Sequence, residues 1–243
     1  MTAAAATLLP VSLGVLVGAG TQRVTGVGFA LVAGPLLVLL LGPMEGVRLV
    51  NLLSLLSSLV VLPAVWRDVD RRTVLSLAVP ALAVLPLGGW IAGNVPGAPL
   101  MIGEGLLILL ALYSLHRFPG PELLQGRAGA AGAGAVSGLM NVTAGIGGPA
   151  ITLYAAATRW EHASFVASMQ LYTVLVNAGS LAVKGWPRLP PSMLALAAAC
   201  TLAGVALGHL VEHRVSRERA RKAVLAMAAV GAATAIVKGV ITI

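Results

Sequence analysis

Residues able to handle a charged ligand are few in this chain, and they gather around two glycine breaks. The first break reads "AGTQRVTGVGFALVAGP" and holds Gln22, Arg23, Thr25, Gly26 and Gly28; the second reads "NVTAGIGGPAITLYAAAT" and holds Asn141, Thr143, Gly145, Gly147, Gly148 and Pro149. Glycine reaches backbone shapes closed to other residues, and proline, lacking an N–H, fits the first turn of a helix. A helix that starts at such a break aims free N–H groups and the positive end of its dipole into whatever space lies beyond, which is chemistry for an anion. Arg23 adds a guanidinium, whose fixed fork of donors matches an oxyanion. Gln22, Thr25, Asn141 and Thr143 add neutral donors. The same glycines would also let helices pack closely, and Arg23 would also serve at a membrane interface. Two breaks at matched positions favour a substrate site.

Further along, Asn51 and Gln170 interrupt apolar runs, where ligand contact and interhelical hydrogen bonding explain them equally well. Glu104, in "MIGEGLLILL", is the carboxylate inside an apolar run and the candidate carrier of a coupling ion, a proton or sodium, with an interfacial polar residue as the competing reading. No HExxH motif is present, and neither is a GxxxxGK[ST] loop, so the sequence points to no metal site, no cofactor and no nucleotide-driven step. The lone Cys200 supports neither a disulfide framework nor a thiolate metal site. Catalytic pairs are equally missing from the apolar runs, which argues against an enzyme.

The elements that hold these residues must lie in lipid. Of 243 residues 58% are hydrophobic and 10% charged, far too few polar groups to coat a soluble surface, and mean hydropathy is +0.95. Long unbroken apolar runs exclude an alternating β-barrel pattern. The expected fold is an all-α polytopic membrane protein. Six stretches are long enough to span as helices, about 47–65, 74–93, 98–116, 163–183, 189–211 and 223–243. Four others, about 3–20, 26–42, 128–143 and 145–158, are short or broken and form two adjacent pairs; the first of them, without a basic leader, reads as a retained membrane segment.

Sliding the chain by 119 positions lays Gly26 and Gly28 on Gly145 and Gly147, Gln22 on Asn141, Asn51 on Gln170, Ser54 on Thr173, and Gly89 on Gly208. The expected organisation is one membrane domain of two pseudo-symmetric repeats, 1–119 and 120–243. Each repeat is a broken-helix pair (3–42 and 128–158) followed by three full spans. If each pair starts and ends on one side of the membrane, the second repeat is inverted relative to the first. Charge tests this. Of the 16 Lys and Arg residues, eleven then fall on one side and four on the other, with Arg23 left inside the first pair; parallel repeats would split the same charges eight to seven. The net charge of +8 thus reads as membrane orientation, with both termini outside, and not as nucleic-acid binding.

With "GVGFALVAGPLLVLLLG" in the first half and "GIGGPAITLYAAA" opening the second, the chain from about residue 8 to 240 resembles the sulfite exporter TauE/SafE family. The resemblance implies a multi-pass protein of the cytoplasmic membrane that moves sulfite, sulfonates, thiosulfate or related small anions. It departs from the family's pattern at Phe29, where a further glycine is usual, and at Ala150, where a second proline is frequent; both bear on which anion is carried. The expected function is a secondary transporter working by alternating access, with a small anionic substrate and the bilayer as partners. An anion channel, a non-transporting assembly subunit and an intramembrane enzyme are the alternatives.

Overall fold

The computed structural model describes residues 2–25, 28–117, 125–211 and 217–242, and its regular structure there is helical throughout. In chain order the helices are α1 (Thr2–Thr25), α2 (Gly28–Leu41), α3 (Pro43–Val65), α4 (Arg71–Asn94), α5 (Gly97–Arg117), α6 (Gly126–Ala144), α7 (Gly148–Ala157), α8 (His162–Lys184), α9 (Pro191–Val211) and α10 (Arg217–Thr242). A 3-10 turn, Trp66–Asp68, follows α3. Six helices, α3, α4, α5, α8, α9 and α10, are long and apolar enough to cross a bilayer. The fold is all-α and polytopic, as lipid requires of a chain whose backbone must satisfy its own hydrogen bonds. Its outer faces are greasy: Leu9, Val79, Leu87, Leu110, Val230 and Ile241 are each more than half exposed.

Helix starts follow local chemistry. Gly42, at φ 84, turns the chain and Pro43 opens α3; the Asp70 side chain caps α4 by accepting from the Thr73 amide; and Glu161 caps α8 by accepting from the Ala163 and Ser164 amides. These caps sit between apolar runs, where water is at hand.

Small residues set the helix pairing, because lipid offers no hydrophobic drive and close approach must supply the contact. On α6, Gly134 lies against Leu77 of α4 and Gly138 against Ala81, so these two helices run side by side in the same direction. Gly204 and Gly208 of α9 meet Leu16 and Gly20 of α1 in the same parallel sense. By contrast Gly105 meets Ile236 while Gly239 meets Ile102, so α5 and α10 are antiparallel. Helices α3 and α8 are antiparallel too. At one end Arg48 Nη2 donates to the Lys184 carbonyl, and at the other the Asp70 amide donates to Ser168 Oγ.

A shift of 119 positions carries the limits of α3 (Pro43–Val65) onto those of α8 (His162–Lys184), and carries the α1–α9 pair onto the α6–α4 pair. Side chains follow. Gln22 Nε2 donates to Ser58 Oγ at 3.1 Å, and their counterparts at the same offset, Asn141 Nδ2 and Asn177 Oδ1, bond at 3.1 Å.

One element is longer than its sequence suggests. The polar run Thr21-Gln22-Arg23 reads as the end of a short segment, yet α1 is continuous to Thr25. Its polar groups have partners that local sequence hides: Thr21 bonds back to the Val17 and Gly18 carbonyls, Gln22 reaches Ser58, and Arg23 reaches His209.

Candidate functional site

The second glycine break is a hairpin tip. Helix α6 ends where Gly145 enters the left-handed region at φ 74, its amide donating to the Asn141 carbonyl at 2.8 Å, and Ile146 donates to the Met140 carbonyl. The chain then turns back through Gly147 into α7. At the far end Gln125 Nε2 donates to the Ala157 carbonyl, which closes the hairpin. Helix α7 has 10 residues, about 15 Å of rise, roughly half a hydrocarbon core. With Arg159 and Glu161 beyond its C-terminus, it begins near mid-depth.

Its start has no side-chain cap. Gly147 takes ordinary negative φ, −96, so its reason for being glycine is space. A Cβ there would lie 2.6 Å from Ser137 Oγ and 2.8 Å from the Ser137 carbonyl. Ser137 holds the tip: its hydroxyl donates to the Gly147 carbonyl at 2.7 Å and accepts from Tyr172 OH at 2.8 Å.

A cavity of about 40 Å³ opens at this tip, room for about three water molecules or one small oxyanion. Its walls come from both halves of the chain. From the first come Gln22 (α1), Ala30 (α2) and Ser54 (α3); from the second come Asn141, Gly145, Gly147 and Gly148 of the hairpin, and Met169, Tyr172, Thr173, Val176 and Asn177 of α8. The wall carries amides, hydroxyls, a phenol and glycine backbone, and no formal charge among these residues. Asn141 is held in place by accepting from Ser180 Oγ at 2.8 Å and donating to Asn177 Oδ1, so its carboxamide cannot turn freely. Such a site offers preset dipoles to an anion, and the α7 N-terminus adds the positive end of its own.

Of the residues singled out in the sequence, the cavity brings together Gln22, Asn141, Gly145, Gly147 and Gly148. Several lie elsewhere. Gly28 and Pro149 are buried in the first turns of α2 and α7 without lining the cavity, and the Thr143 hydroxyl is spent on the Leu139 carbonyl of its own helix. Gly26 and the side chain of Thr25 lie outside the described residues. Arg23 stands beside Gln22 in α1 but turns toward α9, with Nη2 3.1 Å from His209 Nδ1. Asn51 and Gln170 are fully buried in α3 and α8, one turn from Ser54 and Thr173. Neither Asn51 amide atom has a partner, and neither does Gln170 Oε1. Glu104 is 3% exposed near the N-terminal end of α5, away from the cavity wall.

Sequence reading passed over Tyr172, Thr173, Asn177 and Ser54 as site residues. The 119-residue offset laid Ser54 on Thr173 and held a signal for Asn177, which falls opposite Ser58, the partner of Gln22. Among the described residues no group of three or more His, Cys, Asp or Glu side chains is placed to hold a metal ion.

No curated protein and no solved structure matches the chain. The family model described as Sulfite exporter TauE/SafE matches residues 11–235 of the 243, and so takes in all of the helices that line the cavity except the first turns of α1. Six apolar membrane-length helices and a match over nearly the whole chain agree: this protein belongs to the sulfite exporter TauE/SafE family, a family of membrane transporters.

Proposed function

We propose that the chain is a secondary transporter of a small sulfur oxyanion such as sulfite, carried across the cytoplasmic membrane by alternating access around the cavity at the α6–α7 tip. One observation carries this reading: neutral donors from both halves of the chain converge on an uncapped helix N-terminus inside an apolar bundle. Gln22, Asn141, Asn177, Ser54 and Thr173 supply hydrogen bonds and the Gly147–Gly148 backbone supplies dipole, so an anion is held without a bound counter-charge and is free to leave. Inverted repeats suit the mechanism, since two equivalent arrangements of one scaffold expose one site to either side in turn. The antiparallel pairing of α3 with α8 and of α5 with α10 supports inversion.

Arg23 enters this reading as an attractor and not as a wall residue. Helix α9 begins just after Lys184 and ends at the Arg23–His209 contact, so Arg23 and Lys184 lie at opposite ends of the bundle. With the charge bias taken as orientation, both termini face outward and Arg23 faces the cytoplasm. A cation there raises the local concentration of anion before the cavity is reached.

The test is thermal stabilisation of the detergent-purified protein by sulfite, thiosulfate, sulfate, taurine, sulfoacetate and simple carboxylates. A ligand at about 100 times its Kd stabilises by about 2.7 kcal/mol. Sulfur oxyanions are expected to raise the melting temperature of wild type and not of Asn141→Leu. Equal melting of wild type in all of these anions would overturn the reading.

A further inference from the structure

The end of the bundle opposite Arg23 holds a group of charges that the cavity does not use. Lys184, the last residue of α8, is 7% exposed and its Nζ has no hydrogen-bond partner. Glu104 of α5 is 3% exposed with Oε1 unpartnered, and Arg48 of α3 leaves Nε buried and unpartnered. Buried polar atoms in native proteins are nearly always satisfied, and a buried charge more so, which makes these orphans, on α8, on α3 that packs against it and on α5, a candidate place for a ligand. The other Arg48 nitrogens are engaged. Nη1 pairs with Glu45 Oε1 at 2.6 Å and Nη2 donates to the Lys184 carbonyl, while Glu45 Oε2 accepts from the Arg188 amide. That clasp fixes the α8 terminus against α3 and leaves the Lys184 side chain within electrostatic reach of Glu104, without a hydrogen bond between them.

Position along α8 links this group to the cavity. Thr173 and Asn177 line the wall, Ser180 bonds to Asn141, and Lys184 follows one turn later; spacings of four, three and four keep all of them on one helix face. From Asn177 to Lys184 is seven residues, about 10 Å along the axis. An anion leaving the cavity along that face meets Lys184 next.

We infer that Lys184, backed by Arg48, is a second station for the transported oxyanion at this mouth, and that the Glu104 carboxylate is a built-in stand-in that faces Lys184 when no anion is there. This rests on the transport reading above and adds to it a site, its ligand class and an internal competitor. In the present conformation the station is closed over.

The experiment is counterflow of sulfur-35 sulfite into liposomes preloaded with unlabelled sulfite. It compares wild type with Lys184→Gln, Lys184→Arg and Glu104→Gln, and a thermal melt reports folding of each variant. Lys184→Gln is expected to raise the half-saturating sulfite concentration about tenfold or more, the usual effect of losing one charge-assisted hydrogen bond. Lys184→Arg is expected to stay within a few-fold of wild type. Glu104→Gln, which removes the competitor, is expected to lower half-saturation several-fold. If Lys184→Gln does not fold, Glu104→Gln decides alone. Unchanged half-saturation in the folded variants, beside active wild type, would overturn this inference and leave the transport reading standing; inactive wild type would sink the transport reading itself.

Discussion

Replacing Gly147 by alanine tests the tip geometry with a single methyl group. The backbone there, φ −96 and ψ −16, suits any residue, so the substitution carries no torsional cost and its effect is one of contact. The new Cβ would stand 2.6 Å from Ser137 Oγ, 2.8 Å from the Ser137 carbonyl and 3.3 Å from Asn141 Cβ. The hydroxyl can swing away, at the loss of its bond to the Gly147 carbonyl, about 1 kcal/mol. The carbonyl belongs to α6 and cannot, so the tip must move by several tenths of an ångström, an overpacking cost of about 1–3 kcal/mol. Together these amount to about 2–4 kcal/mol, and the shift falls on the cavity wall at Gly147, Gly148 and Asn141. Thermal unfolding is expected to show that cost, and sulfite counterflow in liposomes is expected to fall too, about tenfold for each 1.4 kcal/mol of binding that the displaced wall loses. Gly132→Ala is the control on the same α6 helix. That glycine is exposed with nothing within 4 Å of a Cβ, and alanine should hold or raise stability, by up to about 1 kcal/mol. Gly147→Ala melting and transporting like Gly132→Ala would refute the tip as described.

Three further outcomes follow from the same contacts. A double-mutant cycle on Asn141→Ala and Asn177→Ala, read by thermal or denaturant unfolding, should show a coupling energy of about 1 kcal/mol, and additivity would deny their bond. Tyr172→Phe, which keeps the ring and removes the donor to Ser137, should cost about 1 kcal/mol of stability in the same assay. Asp70→Ala should cost about 1 kcal/mol through loss of the α4 cap. Burial pushes the Asp70 carboxyl up, but hydrogen bonds from the Thr73 hydroxyl and amide and the Arg72 amide, with the Arg72 charge, outweigh it and hold it below its ordinary 3.8. A carboxyl lowered by folding stabilises above its unfolded value and loses that contribution as pH falls through the folded one. The gap between wild type and Asp70→Ala should therefore be full at neutral pH and shrink in acid below about pH 3.8. A gap that widens in acid would contradict the assignment.

The membrane class was legible because composition alone forbids a soluble coat, and the break at Gly145–Gly148 was legible because glycines recur at a fixed offset. Gly145, Gly147, Gly148, Asn141 and Gln22 could be named as wall residues for that reason. Other features depend on contacts between residues far apart in sequence. Helix α1 runs through Gln22 and Arg23 because Ser58 and His209 receive them, partners 36 and 186 residues away. Thr143 looks like a donor flanking the break, yet nothing local reveals that its hydroxyl folds back on Leu139. Thr173, Asn177 and Tyr172 sit inside an apolar helix, where a polar residue serves packing or ligand alike until the facing helix is known. Lys184 stands at a helix end, where a charge is ordinarily exposed; its burial depends on the packing of α3 against α8, which spacing along one helix does not encode.

The most direct test of the carrier reading is trans-stimulation. Purified protein in liposomes should take up labelled sulfite faster when the lumen holds unlabelled sulfite than when it is empty, saturably, and Asn141→Leu should abolish the difference. Uptake that is indifferent to luminal sulfite and does not saturate would mean a pore and not a carrier. No uptake by folded wild type under either condition would contradict sulfite transport altogether.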